Sequence, residues 1–331
     1  MNKPLLIGDI GGTNARFASA QTGVPEVECV QTYPCADFQT VVDAIQHYLN
    51  QNTLPAPKSI CLAVAGPVVD DRVCFTNNPW TISGSELCRI FEAESVYLLN
   101  DFEAIAYSLP LISIPEMLPV GILQPQLLDS RQFAVAAIGP GTGLGAVGLR
   151  KHKNHFTAIV SEASHGGFAP ENQEQGDILA VLRERFGRVS SERLVSGSGL
   201  ENLYWALAQI QGGNCRLLSA AEIVLASVDE SDPLACKAVD LFYQILGQVA
   251  GDLALTLGAN DGIYIAGGIT QRYPQALVNS RFRSGFESKG RHRILMEGIP
   301  TQLIMHKQPG LLGALSYAQR VASDDSSLVW K

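Results

Sequence analysis

The sequence predicts an α/β protein built from two related domains. Three observations carry this reading: strand-like and helix-like segments alternate along the chain, a strand–glycine turn–strand unit opens it, and a similar unit recurs about 130 residues later. In the first unit, the apolar run Leu5 to Ile10 ends at Gly11-Gly12, and Arg16 to Ala20 resumes a strand-like pattern. Phe38 to Leu49 has helical periodicity, and Ser59 to Val64 and Val96 to Leu99 read as strands. Leu109 to Asp129, rich in Pro, Leu and Ile, reads as a connection between the halves. The second unit runs from Phe133 to Ile138, turns at Gly139 to Gly143 and continues from Leu144 to Leu149. Helices follow at Glu174 to Phe186 and Leu234 to Leu257, then a strand over Gly262 to Ala266 and a last helix from Leu311 to about Val321. A dinucleotide-binding fold would follow its glycine turn with a helix, and neither turn carries the Gly-Lys-Ser/Thr of a P-loop. Any phosphate bound here sits on hairpin turns.

The chain has 331 residues, 46% hydrophobic and 17% charged, ordinary values for a globular protein with a sizeable core. A net charge of −8 argues against a partner that needs a basic surface, whether nucleic acid or an anionic membrane. Cysteines 29, 35, 61, 74, 88, 215 and 236 form no CxxC pair, which predicts reduced thiols in a cytoplasmic protein. The N-terminus turns polar at Asp9, too early for a signal peptide, and no apolar run is long enough to span a bilayer.

Four sets of residues point to chemistry. Gly11-Gly12-Thr13-Asn14 and Gly141-Thr142-Gly143 each offer backbone N–H donors and a threonine hydroxyl, as phosphate-binding turns do. Asp9 precedes the first turn, where a carboxylate repels phosphate unless a cation stands between them; it is expected to hold Mg²⁺ through water. Gly267-Gly268 ends a strand and Gly310 and Gly313 open a helix, positions where backbone can lie against a flat base or serve close packing. Asn100-Asp101 stands at the carboxyl end of a strand, where open α/β sheets place ligands, although Asp101 is equally suited to capping the helix that follows. Glu162-x-x-His165 occurs once and is followed by Gly166-Gly167, so a polyol-binding loop suits it better than a di-iron helix.

Together these segments resemble the bacterial glucokinase family of the actin-like sugar kinase superfamily. LIGDIGGTNARF, FTNNPW, LLNDFEAIAYSLP, IGPGTGLG, SEASHGGFAP, VSSERLVSGSGLENLY, IYIAGGI and QPGLLGA fall in order over nearly the whole chain. The resemblance implies two actin-like (ribonuclease H-like) α/β domains with the active site in a cleft between them. It implies residues 1–109 plus 306–331 as the smaller domain, completed by the C-terminal helix, and 110–305 as the larger. It also implies ATP-dependent phosphorylation of glucose at its 6-hydroxyl with Mg²⁺, and a homodimer. By motif position Asp101 is the catalytic base, and Asn100, Asp101, Glu162, His165 and Glu192 bind the sugar. Gly8, Asp9, Ile10, Gly11, Gly12, Thr13 and Asn14 with Gly141, Thr142 and Gly143 are the phosphate contacts, and Gly267, Gly268, Gly310 and Gly313 the nucleoside contacts.

The chain departs from the family pattern at Ser161, Ala163 and Ser164, where glycines are usual, and at Gly166-Gly167 after the histidine. It lacks the cysteine-rich zinc motif of the related repressor–kinase family, which disfavours that branch. A non-catalytic regulator on this fold would need a DNA-binding appendage for which the chain leaves no room. A filament-forming relative would have no use for the Asn100-Asp101 and Glu162/His165 sets. A kinase for another hexose is the remaining alternative.

Overall fold

The computed structural model describes residues 4–24, 26–75, 78–128, 132–153, 155–213 and 216–324. The chain folds into two units, Met1–Ile112 with His306–Lys331, and Ser113–Met305.

The first unit is built on a sheet of five strands in the order β3-β2-β1-β4-β7: β1 Pro4–Ile10, β2 Asn14–Gln21, β3 Glu28–Pro34, β4 Ser59–Val64 and β7 Ser95–Asn100. β1, β2 and β3 are antiparallel neighbours, while β4 and β7 run parallel to β1. Two short strands, β5 Arg72–Cys74 and β6 Thr81–Ser83, pair separately. The helix Val41–Gln51 starts at a capping box in which Thr40 accepts the Asp43 N–H and Asp43 takes the Thr40 N–H. Leu6, Ile10, Phe17, Tyr48, Ile60, Leu62 and Trp80 lie in its core. The C-terminal helix Pro309–Asp324 packs on the helix Asp101–Ser108 and against β1 and β4.

The second unit repeats the plan. Its sheet has the order β11-β10-β9-β12-β13-β8, formed by β8 Met117–Pro119, β9 Phe133–Pro140, β10 Leu144–His152, β11 His155–Ser161, β12 Ile263–Ile265 and β13 Thr301–Ile304. β9, β10 and β11 form the antiparallel meander, and β12 and β13 continue it in parallel. The two units thus share the order third-second-first-fourth-fifth, with β8 added at one edge. Its largest helix, Pro233–Leu257, begins with Pro after an Asp232 cap and ends at Gly258 in the left-handed region.

The expected strands and helices are present, and the structure adds others. The stretch expected as a connection contains β8, which pairs antiparallel with β13; its expected end, Asp129, lies outside the described residues. The edge strands β3 and β11 are largely exposed and lack the apolar alternation that marks a half-buried strand. The helix Gly197–Ile210 opens with Gly-Ser-Gly, which reads as a loop, but the Ser196 hydroxyl caps it by accepting the Gly199 N–H at 2.9 Å. Among the described residues no helix is long and apolar enough to cross a membrane. Cysteines 29, 35, 61, 74, 88 and 236 are free, and Cys215 lies outside the described residues.

Candidate active site

In the first unit, β1 and β2 are joined by the turn Gly11–Thr13, which the Gly11 N–H closes by donating to the Asn14 carbonyl at 2.9 Å. Thr13 and Asn14 are exposed at its tip. Strand alternation decides which neighbours face the turn's ligand. Ile10 is fully buried in the core, and a side chain at Gly8 would meet Leu62 at 2.7 Å. The side-chain positions of Gly8 and Ile10 are therefore taken up by core packing, which leaves only their backbone to face a ligand.

Asp9 projects from the opposite face and is paired across the ladder with Arg16, whose Nη1 lies 3.5 Å from its carboxylate. The Arg16 Nε donates to Thr32 Oγ1 at 3.1 Å, which holds the guanidinium in place. Burial pushes the Asp9 carboxyl above its ordinary range, and Arg16 opposes that shift. The Asp9 side chain is closely surrounded yet still 29% exposed.

Asn100 ends β7 and is the N-cap of the helix Asp101–Ser108. Its Oδ1 accepts the Phe102 and Glu103 N–H groups at 3.0 and 3.4 Å, and its Nδ2 donates to the Gly66 carbonyl at 3.2 Å. The cap expected at Asp101 is thus one residue earlier. Asn100 keeps at most one Nδ2 hydrogen for a ligand, because its other capacity is spent on the fold. Asp101 is the first helical residue, and its Oδ1 accepts the Phe102 N–H at 2.9 Å. Burial pushes its carboxyl up to about 6; the Phe102 N–H pulls it down, and the negative charge of Asp9 pushes it further up.

In the second unit, the turn between β9 and β10 is closed by Gly141 N–H donating to the Gly143 carbonyl at 2.8 Å, leaving exposed Thr142 at its tip. Three contacts fix it from outside. Gly197 N–H donates to the Gly141 carbonyl at 2.8 Å. Gly267, at φ +98°, lies so close to Pro140 that a Cβ would meet its carbonyl oxygen at 2.4 Å. The Leu144 N–H donates to Glu192 Oε2 at 2.9 Å.

The Glu162/His165 loop is tied to the Glu192 segment rather than standing free in solvent. Ser191 N–H donates to the Gly166 carbonyl, Phe168 N–H to the Val189 carbonyl, and Arg188 to the His165 carbonyl. These bonds bring the imidazole between two carboxylates: Nε2 is 3.8 Å from Glu162 and Nδ1 is 4.0 Å from Glu192. Two accepting carboxylates and an imidazole that can donate then converge, with the Glu162 and His165 side chains 71% and 56% exposed and open to a ligand.

The glycines expected at the nucleoside divide. Gly268 is exposed with open space where a Cβ would stand, whereas Gly267 is required by its approach to Pro140. Gly310 is buried beneath Asp9, whose carboxylate lies 2.8–3.1 Å from where a Cβ would stand. At buried Gly313 a Cβ would run into the Ala104 carbonyl oxygen, so helix packing requires a glycine here.

The sequence reading missed Arg16 and the second use of Glu192. Arg16 could have been found from the hairpin, because a turn at Gly11–Thr13 puts Asp9 and Arg16 opposite one another. Nothing in the sequence pairs Glu192 with Leu144. Among the described residues no group of three or more His, Cys, Asp or Glu side chains could hold a metal ion. Asp9 alone fits an ion carried in by phosphate oxygens and water, not a protein cage.

The glucokinase family model matches residues 6–321. The glucokinase of Marinobacter nauticus is 39% identical over 314 residues, covering 93% of this chain and 95% of that one. The crystal structure of glucokinase from an Antarctic psychrotroph superposes with a TM-score of 0.87 at 33% identity, covering 96% of this chain and 99% of that one. The fold is shared further with the glucokinase of Balamuthia mandrillaris solved in complex with glucose, at TM-score 0.80 and 22% identity, covering 96% and 94% of the two chains.

Proposed function

The chain belongs to the glucokinase family, and on that premise we propose how its residues divide the work. It is a hexose kinase, transferring a phosphoryl group from ATP to glucose. Asp101 is the general base. The observation that carries this is the state of its carboxyl: capping has passed to Asn100, and burial holds Asp101 near 6, where it is ionised at neutral pH yet basic enough to accept a proton. As the sugar 6-hydroxyl attacks the γ-phosphorus, its proton passes to Asp101 and the bond to the ADP oxygen breaks. Phosphoryl transfer has a loose transition state, so orientation of the attacking oxygen matters as much as its basicity.

Asn100 fixes the backbone that carries Asp101 and turns its remaining Nδ2 hydrogen to the sugar. Glu162, His165 and Glu192 read sugar hydroxyls by hydrogen-bond geometry, the means open to a site that must choose a neutral polyol. N–H groups of the turns Gly11–Asn14 and Gly141–Gly143 take up charge on the phosphates. Mg²⁺, when bound with the nucleotide, neutralises phosphate charge, and Asp9 is the residue that would hold it through water. We place the enzyme in the cytoplasm on its reduced cysteines, and as a homodimer on the family resemblance alone.

A coupled assay of ADP release over glucose, mannose, fructose and glucosamine tests this reading. Glucose should give the highest kcat/KM. A higher value for another hexose would transfer the assignment to that sugar, and no turnover with any of the four would end it.

A further inference from the structure

The carboxylate of Glu192 is divided between two tasks. Its Oε2 accepts the Leu144 N–H at 2.9 Å, at the exit of the Gly141–Gly143 turn, while Oε1 faces His165 Nδ1 at 4.0 Å. The space beside Gly143 is filled by the same oxygen, 2.6 Å from where a Cβ would stand. The backbone behind this carboxylate is held firmly. Ser196 Oγ donates to the Glu192 carbonyl at 2.8 Å, and Asn202 Nδ2 donates to the Arg193 carbonyl at 3.0 Å. Leu144 is buried and stands opposite Pro140 in the ladder.

We propose that Glu192 is the positioning residue for the Gly141–Gly143 phosphate turn, coupling sugar recognition at His165 to the nucleotide side of the same unit. One oxygen holds the turn in its phosphate-binding shape before any sugar arrives; the other is the one a sugar hydroxyl engages. A sugar that engages Oε1 immobilises the carboxylate and, through Oε2, the turn. The nucleotide then binds a turn already ordered, which is positive cooperativity between the two substrates. This inference rests on the kinase reading above, but it concerns nucleotide affinity in the absence of sugar, which that reading leaves open.

Two substitutions separate reach from charge. Glu192→Gln keeps an amide oxygen long enough to accept the Leu144 N–H but loses the negative charge beside His165. Glu192→Asp keeps the charge and is one methylene too short to reach Leu144. Binding of the non-hydrolysable ATP analogue AMPPNP with Mg²⁺ is measured by calorimetry, first without sugar. Glu192→Gln should bind it within about 2-fold of the unaltered protein, and Glu192→Asp about 5- to 10-fold more weakly, the net effect of one ordinary hydrogen bond. His165→Ala should leave this affinity unchanged. Saturating glucose should tighten AMPPNP binding to the unaltered protein and fail to do so for Glu192→Asp. Unaltered affinity in Glu192→Asp would overturn the inference and leave the kinase assignment standing, since a residue that only reads sugar predicts that result. Absence of AMPPNP binding by the unaltered protein would overturn both.

Discussion

Asn100 closes the N-terminus of the helix Asp101–Ser108 by capping Glu103. The Asn100 Oδ1 accepts the Glu103 N–H at 3.4 Å and the Phe102 N–H at 3.0 Å. The consequence falls on the residue between them: Asp101 is not the N-cap, although it shares the Phe102 N–H, and its buried carboxyl is raised to about 6.

Asp101→Asn should fold normally, since asparagine can accept the Phe102 N–H in the same way. Its kcat should fall by roughly 10²–10⁴, the worth of a positioned base. Asn100→Ala should instead lose about 1 kcal/mol of stability with the cap. Thermal unfolding, glucose binding and kcat on both variants measure this; an active Asp101→Asn enzyme would end the general-base assignment.

The acid limb of kcat/KM should have its midpoint near pH 6 and vanish from the residual activity of Asp101→Asn. Stability follows with a defined sign. The folded state holds the Asp101 proton more tightly than the unfolded state, so this group's contribution becomes less favourable as pH rises from about 4 to 6, and stays so above. Asp101→Asn should therefore raise the Tm relative to the unaltered protein at pH 7.5, and the difference should close near pH 4.

Asp9→Asn removes the charge expected to hold the cation while keeping the shape of the side chain. The Mg²⁺ concentration for half-maximal activity should rise and kcat should fall, with glucose binding little changed. A normal Mg²⁺ dependence would make Asp9 a partner for Arg16 and nothing more.

Gly310 and Gly313 should respond differently to alanine although they lie one helical turn apart. At Gly310 the new methyl displaces the Asp9 carboxylate, so Gly310→Ala should raise the Mg²⁺ requirement while the fold holds. At Gly313 it meets backbone of the neighbouring helix, so Gly313→Ala should cost about 1–3 kcal/mol and leave the KM for ATP unchanged in the folded fraction. Denaturant unfolding and Mg²⁺ titration distinguish the two.

Glu162→Ala and His165→Ala alter exposed side chains, so neither should change the Tm appreciably. Each should lose about 1–3 kcal/mol of sugar binding, read as a higher KM for glucose with an unchanged KM for ATP. Stoichiometric zinc or iron held through these two residues would contradict their role as sugar ligands.

The amino-acid sequence by itself determined the α/β class, the two strand–turn–strand units and the polar sets at Asn100-Asp101 and Glu162/His165. These are local properties: apolar runs such as Leu5 to Ile10 and Phe133 to Ile138, glycines where the chain reverses, and polar residues packed into short spans. Tertiary structure alone decided which motif side chains are packed and which are open. At Gly8, Ile10 and Gly313 the side-chain direction is taken up by packing, because strand alternation and helix contact assign it. Asn100 took the cap from Asp101 because β7 delivers it at the helix start with its side chain aimed at Phe102 and Glu103. Glu192 reaches Leu144 across 48 residues of sequence. No periodicity in a sequence encodes a distance of that kind; it exists only once a sheet and a helix N-terminus have set both residues in place.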